Sequence, residues 1–427
     1  MSTTADQTGE TVPWRRRPGL EAIGGRLAIA GRDAELLARE HGTPLYVFDL
    51  EYVREQLHAL RSALERAGVK GRVRIALKAL RDPEYLAVVR SLGTPGGPDA
   101  IGIDACSPGE VEHALAHGFL PQEISVTATN LSETDCRTIL QYPVHVNADL
   151  ITQVERLGRL SPGRSIGLRL NPRAGAINRR TSPTTTVYSG ERPTKFGIYH
   201  EDLPAAVEAG RRYDLILDTA HFHVANGILN EDLPAYEKAV AAMAVMVERM
   251  LELGCTIREI NVGGGLGDSA RSCVSPLDLD AWADILRRHL GGIDAVIACE
   301  PGEFVSIESG VLLAEVVTVE RRLGHLFAGL DVGWNVINHR FVYGHDMALV
   351  HCTRADAAPA DQVTFGGNIN EGPDLFADDL PFAPVEEGDI VAMLGTGAYS
   401  ITNYHPHCLR PPAGAVFFAD RLPVGEQ

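Results

Sequence analysis

Lys78 closes an apolar run, "RIALKALRDP", and later runs of the chain end on polar or glycine residues in the same way. They end on Asp104 in "GIDACSPGE", Arg169 in "SIGLRLNP" and His223 in "HFHVANG". Gly263, Gly264 and Gly265 follow in "NVGGGLG", and Glu300 in "CEPGE". An amine attacks carbonyl carbon, an imidazole stacks or moves protons, and a buried carboxylate demands a cationic or protonated partner. A glycine triplet lets backbone N–H groups come close to an anion. Each has a plainer account when read singly. Lys78 snorkels into water at a strand end, the glycines make a tight βα turn, Glu300 forms an ordinary ion pair, and His221 and His223 share one face of a strand in the core. Metal binding by the two histidines lacks a third ligand at sensible spacing, so no metal is expected. Recurrence of such groups at successive run ends favours one shared site.

The elements that must position these residues alternate regularly. Between residues 70 and 302, the β-type runs are "VRIALK", "IGIDA", "ISVTA", "VHVNA", "SIGLRL", "TAHFHV", "EINVGG" and "AVIACEPG". Amphipathic segments such as "SPGEVEHALAHGF" and "DLITQVERLGRL" follow most of them. Interleaved strands and helices mean a parallel sheet, and about eight repeats predict a closed (β/α)8 barrel of the TIM type with function at the C-terminal strand ends. A doubly wound open sheet is the alternative, but no GxGxxG opens the first βα unit. After about residue 308, strand-like runs joined by Gly/Pro/Asp-rich turns predict an all-β C-terminal domain, barrel or sandwich. The expected organisation is a loose tail over 1–19, a cofactor-binding barrel over 45–307, and a β domain built from 20–44 and 308–420.

Bulk properties restrict the function classes. Net charge is −17 (Lys+Arg 39, Asp+Glu 56), which argues against nucleic acid and anionic membrane as partners. The seven cysteines are scattered and form no CxxC, so neither a disulfide framework nor a zinc cluster is signalled, and a reducing cytoplasm fits. The N-terminal stretch has no apolar core of the signal-peptide kind, and "AYEKAVAAMAVMVERMLELG" is too polar to span a bilayer.

In chain order, "TPLYVFD", "ALKAL", "GIDACSPGEVEHAL", "RLNP", "TKFGI", "HFHVANGI", "GGGLG", "EPG", "DVGWN", "NINEGPD", "GAYS" and "NYH" resemble the alanine-racemase-fold (fold type III) enzymes that use pyridoxal 5'-phosphate, within the group of diaminopimelate and ornithine decarboxylases. The resemblance runs from about 40 to 415. It implies an amino-acid decarboxylase in which Lys78 forms the Schiff base with the cofactor, from a partly desolvated site. It implies Glu300 at the pyridine nitrogen and His223 stacked on the ring, with Gly263 to Gly265, Gly302 and Tyr399 at the phosphate and Asp104, Arg169 and Asn226 also lining the cofactor. It also implies a homodimer whose active sites are completed by the partner chain's β domain, with Lys195 and Asp374 matching an ion pair between subunits.

Departures from the family pattern cluster around substrate and phosphate. Asn370 stands where a cysteine linked to Cα protonation is usual, and an amide is no general acid. Glu303 replaces an arginine and would face a cationic substrate group; Asn226 replaces a phosphate-binding serine. His339 takes the place of the arginine that reads a distal carboxylate, with Arg340 beside it and Tyr343 kept, while Glu371 matches the glutamate for a distal amine. These changes point to decarboxylation of an amino acid or amino-acid conjugate, with secondary metabolism as the expected setting, rather than of meso-diaminopimelate. The alternatives are a racemase or lyase using the same cofactor without loss of CO2, against which Glu300 speaks, and a non-catalytic binding protein.

Overall fold

Each of the eight β-type runs becomes a strand of one parallel barrel. The computed structural model describes residues 17–177, 193–267, 277–344 and 347–423. The barrel strands are β1 (Gly71–Ala76), β2 (Gly102–Ala105), β3 (Ile124–Thr127), β4 (His145–Ala148), β5 (Ser165–Asn171), β6 (Ile216–His221), β7 (Glu259–Asn261) and β8 (Val296–Cys299). Neighbours pair in sequence, and β8 pairs with β1 through Ile297↔Gly71 to Cys299↔Val73, closing the sheet. The open doubly wound alternative is thereby excluded.

Local chemistry starts the helices that wrap the barrel. Asp49 caps Leu50–Arg66 by accepting from the Glu51 amide at 3.1 Å, and Ser107 caps Pro108–Ala116 by accepting from Glu110 N at 3.2 Å, with Pro108 in the first turn. The inside of the barrel carries polar groups as well as apolar ones. Arg74 of β1 makes a two-pronged ion pair with Glu259 of β7 (2.6 and 2.9 Å), both side chains buried, and Asn147 donates to Ser125 and Thr127 at 3.0 and 2.9 Å. Buried charge of this kind is tolerable because both partners are present and hydrogen-bonded.

The C-terminal region is a separate, mostly antiparallel sheet. Its strands are β9 (Gly310–Arg322), β10 (His325–Leu330), β11 (Leu349–His351), β12 (Asp361–Gly366), β13 (Leu375–Phe382), β14 (Ile390–Leu394) and β15 (Gly414–Phe418). The path runs β11-β14-β9-β10-β12-β13. The strand Leu45–Asp49, which the expected boundaries put in the barrel, pairs antiparallel with β9 and parallel with β15. Its five residues are all buried, so it needs a sheet on each edge, and the β domain supplies both. Short strands over Leu20–Ile23 and Arg26–Ile29 pack Leu20, Leu27 and Ile29 against Val311, Leu313 and Ile390. Among the described residues no helix is long and apolar enough to cross a membrane.

The two regions meet above the barrel's C-terminal face. Tyr399, at φ 54°, donates its backbone N–H to the Ala79 carbonyl (2.9 Å). The β domain is thereby tied down beside the residue that follows Lys78.

Candidate active site

The turn after β1 is set by its apolar residues. Leu77, Ala79 and Leu80 are buried, Leu77 N donates to Asp104 O (3.0 Å) and Ala79 N to Ala76 O (3.0 Å). Anchored on both sides, the chain holds Lys78 alone out of the wall, with Nζ 3.6 Å from Cys106 Sγ. The side chain as a whole is exposed at this turn. Desolvation of the amine end works against the ammonium, but the acidic groups around it, Cys106, Asp104, Tyr399 and Glu300, outweigh it and hold the amine above the ordinary lysine range.

Asp104, on β2, is buried with Oδ1 lacking a hydrogen-bond partner among the described residues. Burial, reinforced by the Glu300 charge, raises its acid well above the usual range. Burial and the neighbouring Asp104 likewise push the Cys106 thiol up to about 12, so it stays protonated at neutral pH.

Glu300 lies just beyond β8 and is buried. Its Oε2 accepts from His221 Nε2 at 2.9 Å and its Oε1 from Asn261 Nδ2 at 2.6 Å. Burial opposes the charge, but His221, Arg74 and the Asn261 amide more than compensate, taking the acid down to about 2. His223 is half-buried; its Nδ1 accepts from Gly264 N at 3.2 Å, which leaves the proton on Nε2. Burial and the nearby Arg169, Lys78 and His221 lower His223 to about 3, so the ring is neutral.

The glycine triplet is required by packing. An added Cβ would stand 2.4 Å from Phe222 O at Gly263, 2.3 Å from Glu300 O at Gly264 and 2.0 Å from Ala225 O at Gly265. Gly263 and Gly265 also have φ of 72° and 89°. At Gly302 a Cβ would come within 2.8 Å of Tyr399 OH. Arg169 is 3.5 Å from Asp149 and lies over the Phe196 ring at 4.4 Å, which exposed Lys195 also approaches at 4.9 Å. Asn226 sits in a two-residue parallel pairing with Ile177. Glu303 opens the four-residue helix Glu303–Ser306 directly after Gly302.

Lys78, Asp104, Arg169, His223, the glycine triplet, Glu300, Gly302 and Tyr399 thus converge at one end of the barrel. Asn226, Lys195 and Glu303 belong to the barrel region as well, and the remaining candidates lie in the β domain. Asn370 and Glu371 are exposed between β12 and β13, and Glu371 accepts from His407 Nε2 at 2.8 Å. Asp374 is buried and accepts from the Trp334 and Ile369 amides, each at 2.7 Å. His339 is buried behind the Tyr399 turn, its Nε2 3.0 Å from Ala398 O and from Ser400 Oγ. Arg340 is paired with Asp378. The Tyr343 side chain lies outside the described residues. His221, Asn261 and Cys106 were missed as site members. Each is two residues from a residue already singled out (His223, Gly263, Asp104), and that i, i+2 relation was the available signal.

The family model for the pyridoxal-dependent decarboxylase, pyridoxal binding domain, matches residues 50–307. This chain belongs to that family. Among its relatives, the diaminopimelate decarboxylase of Methanothermobacter thermautotrophicus is 32% identical over 396 residues, covering 91% of this chain and 89% of the relative. That of Streptomyces coelicolor is 30% identical, covering 90% and 86%. Among solved structures, diaminopimelate decarboxylase from M. jannaschii with L-lysine has a TM-score of 0.83 at 23% identity, covering 94% and 93%. The Helicobacter pylori enzyme with L-lysine has a TM-score of 0.80 at 24% identity, covering 90% and 93%; at these identities the likeness speaks for the fold. The chain is therefore a pyridoxal-phosphate-dependent carboxy-lyase with the alanine-racemase fold.

The residues present fit pyridoxal 5'-phosphate as the family's cofactor. A primary amine stands at the turn after β1, an ionised buried carboxylate follows β8, and a neutral imidazole is held by the glycine loop. The glycine loop beside them packs its main chain tightly against Phe222, Ala225 and Glu300, and its N–H groups are those the resemblance puts at the phosphate.

Proposed function

We propose that the chain decarboxylates an α-amino acid carrying a distal amine, with meso-diaminopimelate a poor substrate. The observation that carries this reading is the state of the two groups at the expected distal-carboxylate position. His339 is buried against Ala398 O and Ser400, and Arg340 is committed to Asp378. A distal carboxylate would meet a buried imidazole whose Nε2 is already engaged and a guanidinium whose charge is already offset by Asp378, a weaker reader than an uncommitted arginine.

Pyridoxal phosphate, when bound, supplies an electron sink that lets the Cα–carboxylate bond break with departure of CO2. Lys78 would hold the cofactor through its amine, the group that a substrate amine would replace. Glu300 would keep a proton on the pyridine nitrogen, and His223 would stack on the ring. The glycine-loop amides, Gly302, Tyr399 and Asn226 would hold the phosphate, while Asp104 and Arg169 would line the cofactor. Asn370 has no acidic proton to give, so we assign the return of a proton to Cα to the Lys78 ammonium, which its anionic neighbours favour. Glu303 and Glu371 of the partner subunit take the substrate's cationic groups, which requires a homodimer; exposure of Asn370 and Glu371 on the β domain supports that contribution.

The test is CO2 release from a panel containing meso-diaminopimelate, L-lysine, L-ornithine and their Nω-conjugates. The highest kcat/KM on meso-diaminopimelate would overturn the substrate proposal and favour a second reading, carried by the names of the M. thermautotrophicus and S. coelicolor relatives, in which it is the substrate. The shared site is tested by mixing inactive K78A and E371A chains. Half the dimers are then mixed and each has one intact site, so about a quarter of wild-type activity returns. No recovery after demonstrated exchange contradicts the dimer.

A further inference from the structure

We infer that His221 is a positioning residue: with Asn261 it clamps the Glu300 carboxylate and makes it a weaker base than the ring nitrogen it faces. The inference rests on the reading of Glu300 given above. Its consequence is that the shared proton resides on the cofactor ring, where it is useful for drawing electrons, and not on the carboxylate.

The geometry of the clamp is over-determined. Asn261 Oδ1 accepts the Gly263 N–H at 2.9 Å, so its Nδ2 is the atom directed at Glu300 Oε1, 2.6 Å away. Glu300 N in turn donates to Gly263 O at 2.8 Å, which locks the end of β8 to the glycine loop after β7. His221 completes the arrangement from β6 by donating Nε2–H to Oε2 at 2.9 Å. Each carboxylate oxygen then has one donor, and an ionised carboxylate has further lone pairs for a third.

His221 makes no other polar contact that would explain its place. The ring is buried, and Nδ1 has no hydrogen-bond partner among the described residues. Leaving a buried ring nitrogen unsatisfied is costly, and an apolar side chain of similar size would avoid that cost. The retained gain is the bond to Glu300. Burial by itself drives a carboxylate to take up a proton, and an isolated Glu300 would compete with the ring nitrogen for it. Two donors on the carboxylate, together with the nearby Arg74 charge, reverse that tendency.

The experiment uses holoenzyme reconstituted with pyridoxal phosphate labelled with 15N in the ring. The nitrogen shift separates a protonated from an unprotonated ring, a distinction that a purely structural residue would not change. Wild type and H221Q, whose amide replaces the Nε2 donor, are expected to show the protonated ring. H221L is expected to move toward the unprotonated form, to release cofactor roughly tenfold to a hundredfold more readily on dialysis, and to lose kcat while KM moves little. In an E300Q background the H221L substitution should add almost nothing, because its route of action is gone. Wild-type shift and cofactor affinity in H221L would overturn the inference, as would an equal further loss in E300Q. A wild-type shift in E300Q itself would instead overturn the reading of Glu300. Melting of the apo forms identifies a folding defect, and Asn261→Leu then tests the same clamp from the other oxygen, with a wild-type shift again counting against it.

Discussion

Gly265→Ala should damage the protein by an amount the structure allows to be worked out. The residue has φ +89°, and a Cβ there would sit 2.0 Å from Ala225 O and 2.3 Å from Ala225 C. Holding an L-residue in the left-handed region costs about 1–2 kcal/mol. The collision is with main chain of the neighbouring strand end, which cannot rotate away, and forced overpacking of this kind costs about 1–3 kcal/mol. The expected loss is therefore about 2–5 kcal/mol. Gly163→Ala is the control, because Gly163 has φ +76° with nothing within 4 Å of its Cβ position, so only the backbone cost applies. Urea unfolding of both apo variants, followed by intrinsic fluorescence, gives the difference directly. Cofactor titration of the same samples should show weaker binding in Gly265→Ala only, since the displaced loop is the one beside Glu300. If Gly265→Ala is no less stable than Gly163→Ala, the packing account of the glycine loop is refuted.

Other perturbations have equally definite outcomes. Removing one partner of the buried Arg74–Glu259 pair, as in R74M, should cost about 3–5 kcal/mol in urea unfolding, and R74M/E259L should recover most of it. His223 resists protonation in the folded chain down to about 3, whereas unfolded it takes a proton at the ordinary 6.5. The unfolded state thus binds more protons between those values, and apo stability should fall as pH drops through that window by up to about 1.4 kcal/mol per pH unit, a slope that H223Q should flatten. Cys106, its thiol held protonated, should react with iodoacetamide at pH 7.5 more slowly than exposed Cys408, as peptide mapping of the apo protein would show.

Much of this organisation is legible in the sequence for identifiable reasons. The barrel strands are short apolar runs buried on both faces, each punctuated by a polar strand end, and that rhythm survives without any three-dimensional information. Lys78 and Glu300 stand out because an ammonium and a carboxylate interrupt such runs. His221 and Asn261 do not, since their importance lies in contacts between residues 79 and 39 positions apart in the chain. The strand β13 is hidden by Asp378, Asp379 and Pro381, and its pairing with β12 is irregular, with Asp379 at φ 45°. The pairing of Leu45–Asp49 with β9 and β15 joins segments more than 260 residues apart, which no local pattern encodes. The charge state of Lys78 is likewise illegible, because it depends on Cys106, Asp104, Tyr399 and Glu300 meeting around it.

The central claim is that Lys78 is the residue that carries the cofactor. Treating the reconstituted holoenzyme with borohydride and mapping its peptides by mass spectrometry tests it in one measurement. The account predicts a phosphopyridoxyl mass on the peptide containing Lys78, absent when Lys78→Ala is treated identically. The same mass on Lys195 or any other lysine, with the Lys78 peptide unmodified, would contradict it.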